Sequence, residues 1–196
     1  MLRELAGRLT ASRKESAKGL EEQLLTILPN LGMKEARLAV VFRISEKFLP
    51  TGADEIAFLF SANRGGELRE VGKVISGGEL SRLMLAVKSL ITKTNQLPTI
   101  IFDEIDTGVS GEISTKVARI MEDMSQTTQV MAITHLPQIA AKAKHHLKVF
   151  KQNSGETTHT SIVRLSSGQR VEEIAKMLSS DNVTQSALAT AKELMS

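Results

Sequence analysis

The sequence predicts an α/β fold with a parallel strand–helix–strand core and a long helix at its N-terminus. Two short runs, "PTIIFDE" and "TQVMAITH", are continuously apolar before their polar ends. Such runs are typical of strands that are covered on both faces of a parallel sheet. The segment "GEISTKVARIMEDMS" between them has the pattern of a crossover helix, so residues 98–135 are predicted to form one unit.

Residues 2–28 predict one long helix that ends at Pro29. Ser12 and Ser16 stand where apolar residues would continue its leucine stripe. Small residues in such a seam resemble the end of a coiled coil, and an ordinary surface helix fits the pattern as well. The stripe consists of Leu2, Leu5, Leu9, Leu20, Leu24 and Leu28.

The remaining elements follow from local periodicity. Alternating apolar residues predict two strands, 36–45 and 54–63, joined by a Pro-Thr-Gly turn. An amphipathic helix is predicted from residue 77, with its apolar face formed by Leu80, Leu83, Met84, Val87, Leu90 and Ile91. The tail predicts two strands and then two helices, at 146–151, 158–165, 169–179 and 183–195.

The length, charge and cysteine content of the chain limit the functions that it can have. The 196 residues can bury one core, and 25 Lys and Arg against 22 Asp and Glu give a net charge of only +3. That charge permits nucleic-acid binding without requiring it. The chain has no cysteine, which excludes disulfides and thiolate metal sites. No signal peptide or membrane span is evident, so we expect a cytoplasmic protein with no membrane partner.

A serine and two glycines, Ser76, Gly77 and Gly78, open the amphipathic helix. A helix N-terminus exposes unpaired N–H groups and the positive end of its dipole. Glycine lets an anion approach that backbone, and Ser76 adds a hydroxyl donor. The pattern is that of a phosphate-contacting cap, although "SGGE" alone also fits a flexible turn capped by serine.

Polar residues end both predicted parallel strands. Asp103 and Glu104 end the first, and His135 follows the second. The carboxyl ends of parallel strands are where α/β proteins place ligands. One carboxylate can orient Mg²⁺ or its water while the other accepts a proton from an attacking water. His135 could contact a phosphate oxygen or a water, or it could cap the helix after it.

Taken together and in this order, these motifs resemble the ATP-binding cassette family, a group of P-loop NTPase-like proteins. There "SGGE" is the signature motif, "TIIFDE" the Walker B strand, "IDTG" the D-loop and Thr134-His135 the switch. The resemblance implies ATP and Mg²⁺ as cofactors. It assigns Mg²⁺ to Asp103, directly or through water, and catalysis to Glu104 and His135. It assigns nucleotide contacts to Ser76, Gly77, Gly78, Glu79 and Asp106.

Longer segments resemble the RecN family of bacterial DNA-repair ATPases, which are relatives of the structural-maintenance-of-chromosomes (SMC) proteins. They are "SGGELSR", "FDEIDTGVSG", "THLPQIAA" and "TQSALATAKELM". SMC heads usually carry an Ala-Leu-Asp type D-loop, which this chain lacks. Ile75 stands where many cassettes have leucine. The resemblance implies recombinational repair of DNA double-strand breaks, ATP-sandwiched head homodimers, DNA as a partner and a nucleoid-associated location.

No G-x-x-x-x-G-K-[ST] P-loop occurs in the sequence, and the nearest match, Gly72-Lys73, precedes Val74. Without that phosphate cradle, the chain alone is expected neither to bind ATP tightly nor to hydrolyse it. In the resembled family the P-loop, or Walker A motif, lies in an N-terminal lobe beyond a long coiled coil. The resemblance therefore implies that residues 1–30 end the coiled-coil arm and that 31–196 form the C-terminal head lobe of a larger protein.

Two alternatives remain open. A pseudo-cassette would bind a partner and never complete an ATP site, and the missing P-loop supports it. The head of another SMC-like DNA-maintenance ATPase would differ mainly at the D-loop and at "THLPQ". The tail also carries a basic cluster that is either a DNA-facing patch or a solvated surface. It consists of Lys142, Lys144, His145, His146 and Lys148.

Overall fold

The computed structural model describes residues 1–74, 76–94, 97–103, 105–106, 108–154, 157–179 and 182–196. The chain divides into two units. The first is Met1–Leu97 with Thr107–Val109, and the second is Pro98–Asp106 with Ser110–Ser196. The predicted mixed α/β fold with a parallel strand pair and an N-terminal helix is confirmed. The predicted division into 1–30 and 31–196 stays a prediction.

The first unit begins with the predicted long helix. Helix α1 spans Leu2–Ile27 and continues into a 3₁₀ turn, Leu28–Leu31, which holds Pro29 at its start. Proline is tolerated there because the first N–H groups of a helix have no intrahelical acceptor. Of the leucine stripe, Leu24 and Leu28 are buried and Leu20 is half-buried, whereas Leu2, Leu5 and Leu9 are exposed.

An antiparallel hairpin follows. Strand β1 spans Arg37–Leu49 and strand β2 spans Gly52–Ser61, so both strands occur where the alternation predicts them. A two-residue strand β3, Arg69–Glu70, pairs with β2 and leads into the short helix α2, Val71–Val74. Neither β3 nor α2 was predicted from the sequence, because elements this short carry no hydrophobic period.

Helix α3 spans Gly77–Thr94 and begins at the predicted residue. Its predicted apolar face is partly wrong, because Met84 and Ile91 are exposed while Ser89 and Thr92 are buried. The two hydroxyls donate to carbonyls of the preceding turn, at 2.7 Å for Ser89 to Ala86 and 3.0 Å for Thr92 to Ser89. A hydroxyl satisfied in this way can be buried with the apolar side chains.

The second unit contains the predicted parallel pair. Strand β4, Thr99–Asp103, pairs with strand β5, Gln129–Ile133, and helix α4, Glu112–Met124, connects them. The expectation that both faces of these strands are covered is wrong for this chain. Ile100 is only 6% exposed, whereas Ile101 on the opposite face is 58% exposed. Among the described residues, α4 packs against β5, and Ile101 has no comparable cover.

The tail folds as predicted, with two strands and two helices close to the expected positions. These are β6 Leu147–Ser154, β7 Thr157–Arg164, α6 Ser167–Ser179 and α7 Gln185–Met195, preceded by the short helix α5 Pro137–Lys142. Their core is formed by Ala141, Ile174, Ala175, Ala187 and Ala191. None of the helices in the described ranges combines the length and the apolar composition needed to cross a bilayer.

Candidate functional site

The start of α3 presents an open helix N-terminus. Ser76 and Gly77 are exposed, and Glu79 lies in the first turn. A Cβ added to Gly77 would meet no atom within 4 Å, so the space beside this backbone is free. The Ser76 hydroxyl accepts from the Glu79 N–H at 3.4 Å, which is long for a hydrogen bond. The serine therefore caps the helix weakly and remains available to an anion.

Gly108 lies beside Gly78 within the first unit. Gly108 has φ +73°, a conformation that favours glycine, and a Cβ added there would stand 3.9 Å from the Cα of Gly78. Gly78 and Gly108 are thus neighbours, which the sequence alone does not indicate.

The strand ends bring Asp103 and His135 to the same end of the parallel pair. Asp103 is the exposed last residue of β4 and pairs in register with Ile133, the last residue of β5. Thr134 and His135 follow Ile133 directly. Glu104, the predicted catalytic base, lies outside the described residues, as do Ile75 and Thr107.

Asp106 contacts Thr134 and His135, the two residues that form the corner after β5. Its side chain is 1% exposed, and its Oδ2 accepts hydrogen bonds from the Thr134 hydroxyl and, at 3.1 Å, from the His135 N–H. The ring atom Nδ1 of His135 lies 3.3 Å from the same oxygen. Thr134 Oγ1 in turn accepts from the Leu136 N–H at 3.0 Å. The resemblance assigns Asp106 to the nucleotide, and the sequence does not indicate these contacts with Thr134 and His135.

The described residues contain no group of three His, Asp or Glu side chains that would form a metal cage. Asp103 offers one exposed carboxylate. Mg²⁺ is commonly held by one or two carboxylates together with substrate phosphates and water. Among the described residues, the donor set therefore fits Mg²⁺ that arrives with a nucleotide.

The predicted site residues fall into two groups. Asp103, Asp106 and His135 lie in the second unit, whereas Ser76, Gly77, Gly78 and Glu79 lie in the first. The structure brings the members of each group together. That both groups serve nucleotide sites, as the resemblance implies, stays a prediction.

The basic cluster of the tail is partly neutralised. Lys148 forms an ion pair with Glu173 at 2.5 Å, and His145 Nδ1 lies 2.6 Å from an Arg164 nitrogen. Burial lowers the pKa of His146, and the charge of Arg170 lowers it further. Lys148 and His146 thus contribute little free positive charge near neutral pH. This favours a solvated surface over a dedicated DNA-binding patch.

Comparison with known proteins identifies relatives over nearly the whole chain, although no family model matches it. The chain is 42% identical over 194 residues to DNA repair protein RecN of Rickettsia conorii, which covers 98% of this chain and 35% of that protein. It is 40% identical to DNA repair protein RecN of Treponema pallidum, covering 97% of this chain and 34% of that protein. The chain thus spans about a third of the length of the curated relatives it matches.

Solved structures with a similar fold include SMC head domains. The Smc head domain with a coiled coil and joint from Pyrococcus yayanosii matches with a TM-score of 0.63 at 19% identity, over 84% of this chain and 30% of that chain. A structure described as "Structural biochemistry of ATP-driven dimerization and DNA stimulated activation of SMC ATPases" matches with a TM-score of 0.56 at 18% identity, over 86% of this chain and 96% of that chain. The predicted SMC-head type of fold is confirmed.

Proposed function

Because this chain is a relative of the DNA repair protein RecN along almost its whole length, we propose that it is a lobe of a RecN-like ATPase head. The proposed task of the whole protein is recombinational repair of DNA double-strand breaks. The observation that carries the proposal is the arrangement at the ends of β4 and β5. There Asp103 and His135 share one end of the parallel pair, and Asp106 holds the histidine backbone.

Each residue at these strand ends has one role. Asp103 holds Mg²⁺, directly or through water. ATP with its Mg²⁺ supplies the phosphoryl group that is cleaved and the positive charge that stabilises its transfer. Glu104 takes the proton of the attacking water, and His135 contacts an oxygen of the γ-phosphate.

The start of α3 serves the nucleotide of a second head. Backbone N–H groups at Gly77 and Gly78, together with the Ser76 hydroxyl, donate to phosphate oxygens, as helix N-termini do in many anion sites. Two heads related by a two-fold axis then enclose two ATP molecules. Hydrolysis removes the phosphate that both surfaces contact, and the head dimer loses a shared ligand and opens.

Turnover also needs a P-loop, and the 196 residues contain none. In the proposal the chain's own N-terminal Walker A lobe, joined through a coiled coil that ends near residue 30, completes the site. The isolated chain neither binds ATP tightly nor hydrolyses it. The complete protein acts on DNA in the bacterial cytoplasm, at the nucleoid.

The test is Glu104→Gln in the complete protein that contains the P-loop lobe. General-base catalysis contributes about 10²- to 10⁴-fold, so kcat is expected to fall by that factor while ATP-dependent dimerisation is retained. Glu122→Gln is the matched control, because Glu122 is an exposed acid on α4. Its kcat is expected to equal that of the unsubstituted protein.

Two results would overturn parts of the proposal. If Glu104→Gln hydrolyses ATP at the original rate, Glu104 is not the general base. If the unsubstituted protein with its P-loop lobe shows neither turnover nor ATP-dependent dimerisation, the pseudo-cassette alternative is correct.

A further inference from the structure

The Asp106 carboxylate contacts both the backbone N–H and the ring of His135. We infer that Asp106 is a positioning residue that fixes the His135 ring and keeps a proton on Nδ1, so that Nε2 is the atom offered to a ligand. Its effect on turnover rests on the proposed function, whereas its effect on the histidine is a property of this chain alone.

The burial of Asp106 indicates a role beyond packing. Removing a carboxylate from water is unfavourable unless hydrogen bonds replace the lost hydration. Here the Thr134 hydroxyl and the His135 N–H both donate to Oδ2, whereas Oδ1 is buried without a partner among the described residues. A structural carboxylate would be expected to satisfy both oxygens. All described hydrogen bonds of the Asp106 carboxylate are thus made with the corner that carries His135.

The His135 ring lies in the field of that carboxylate. The side chain of His135 is 75% exposed, so little packing restrains it, yet Nδ1 lies 3.3 Å from Asp106 Oδ2. A nitrogen lone pair facing a carboxylate would be repelled, whereas an N–H is attracted. The proton of the neutral ring is therefore on Nδ1, and Nε2 carries the lone pair.

Thr134 fixes the path of the backbone through the corner. Its hydroxyl donates to Asp106 and accepts from the Leu136 N–H at 3.0 Å. Leu136 precedes Pro137 and has the extended conformation that a following proline favours, with φ −90° and ψ 123°. Asp106 thus holds two consecutive residues, and the ring of His135 is free only about its own side-chain torsions.

This arrangement defines what Nε2 can bind. With a neutral ring, Nε2 accepts a hydrogen bond from a water or a hydroxyl. With a protonated ring, Nε2 donates to an anionic oxygen such as that of a phosphate, and Asp106 balances the charge. In hydrolytic triads, too, a buried carboxylate orients an imidazole and fixes its tautomer.

The first test is the tautomer of His135, measured by long-range ¹H–¹⁵N correlation on the 196-residue chain. His135→Gln assigns the signals by their loss. We expect Nδ1–H as the major neutral form, and we expect Asp106→Asn to lose that majority. Thr134→Ser, which keeps the hydroxyl, is the matched control and should retain it.

Either of two results overturns the inference: Nε2–H as the major form in the unsubstituted chain, or an unchanged tautomer in a folded Asp106→Asn variant. Unaltered signals from His145, His146 and His159 establish that this variant is folded. If it does not fold, the tautomer of the unsubstituted chain alone decides.

A second test uses the complete protein with its P-loop lobe. Loss of a positioning partner costs about tenfold or more in activity, so Asp106→Asn is expected to lower kcat with little change in KM. Combined with His135→Gln, it should add nothing, because both act through one ring. An additive loss contradicts the inference. Absence of turnover in the unsubstituted protein contradicts only the proposed function, since the tautomer is measured without ATP.

Discussion

The hydroxyl of Thr10, on α1, lies 2.8 Å and 2.9 Å from the two carboxylate oxygens of Asp54, on β2. Arg13 brings its Nη1 to 3.3 Å from the same carboxylate and donates through Nη2 to the Thr51 carbonyl at 2.7 Å. The Asp54 side chain is only 2% exposed. The N-terminal half of α1 is therefore attached to the hairpin by a buried carboxylate, whereas its leucines there are exposed.

Thr10→Val is expected to destabilise the chain. The substitution keeps the shape of the side chain and removes a hydroxyl from a buried carboxylate, which costs about 1–3 kcal/mol in the free energy of unfolding. Urea denaturation measures the change. Thr26→Val is the matched control, because Thr26 is exposed on the same helix and bonds only to the Glu22 carbonyl among the described contacts. Equal losses at the two positions would contradict the role of Asp54.

Gly52→Ala and Gly7→Ala are expected to change stability in opposite directions. Gly52 has φ +110°, and a Cβ there would stand 3.0 Å from Leu9 Cδ2 and 3.2 Å from Arg13 Nη1. The strain costs about 1–3 kcal/mol. Gly7 is exposed within α1 with nothing within 4 Å of an added Cβ. Alanine there should stabilise by roughly 0.5–1 kcal/mol. Thermal or urea unfolding of both variants checks the signs, and a neutral Gly52→Ala would show that this turn is not strained.

Local patterns predicted the elements of the fold better than they predicted which faces are buried. The β4–α4–β5 unit was predicted because its apolar runs and its crossover helix each carry their own period. The buried face of α3 is not predicted fully, because Ser89 and Thr92 are polar and do not belong to the apolar stripe, yet their hydroxyls bond within the helix and are buried. Burial of such residues depends on neighbours that a single segment does not contain.

At the candidate site, too, some features are predicted from the sequence and others are not. Asp103 and His135 were predicted at one sheet edge because the carboxyl ends of parallel strands coincide. The bond from Thr134 to Asp106 joins residues 28 positions apart. The sequence around Asp106 has no repeating pattern that would predict this contact, and the nearby Gly108 has φ +73°. Contacts of this kind depend on the tertiary fold and not on a local pattern.

The pH dependence of stability is expected to contain a contribution from His146. Burial lowers the pKa of His146, the charge of Arg170 lowers it further, and Glu173 opposes the shift. The unfolded chain then binds a proton at a higher pH than the folded chain. Stability is complete above the ordinary histidine pKa of about 6.5 and decreases as the pH falls below it.

His146→Gln should therefore lessen the loss of stability between pH 7 and pH 5, measured by urea unfolding at each pH (roughly the range in which histidine titrates). His159→Gln is the control, because His159 is exposed on β7. A pH profile that His146→Gln leaves unchanged would mean that the folded chain protonates His146 as readily as the unfolded chain does.

One face of the β4–β5 pair is exposed, so the same substitution at adjacent residues of β4 is expected to lower the free energy of unfolding by different amounts. Ile100 is 6% exposed and Ile101 is 58% exposed. Side chains alternate between faces along a strand. Ile100→Val is therefore expected to cost about 0.5–1.5 kcal/mol in the free energy of unfolding, and Ile101→Val less than about 0.5 kcal/mol.

Urea unfolding at several protein concentrations measures both changes. Equal costs that grow with concentration would mean that copies of the chain cover Ile101 by association. If a lobe of a longer protein covers this face instead, Ile101→Val should become as costly as Ile100→Val only when that lobe is attached. The difference between the two isoleucines thus measures whether the sheet of this chain is completed by residues outside it.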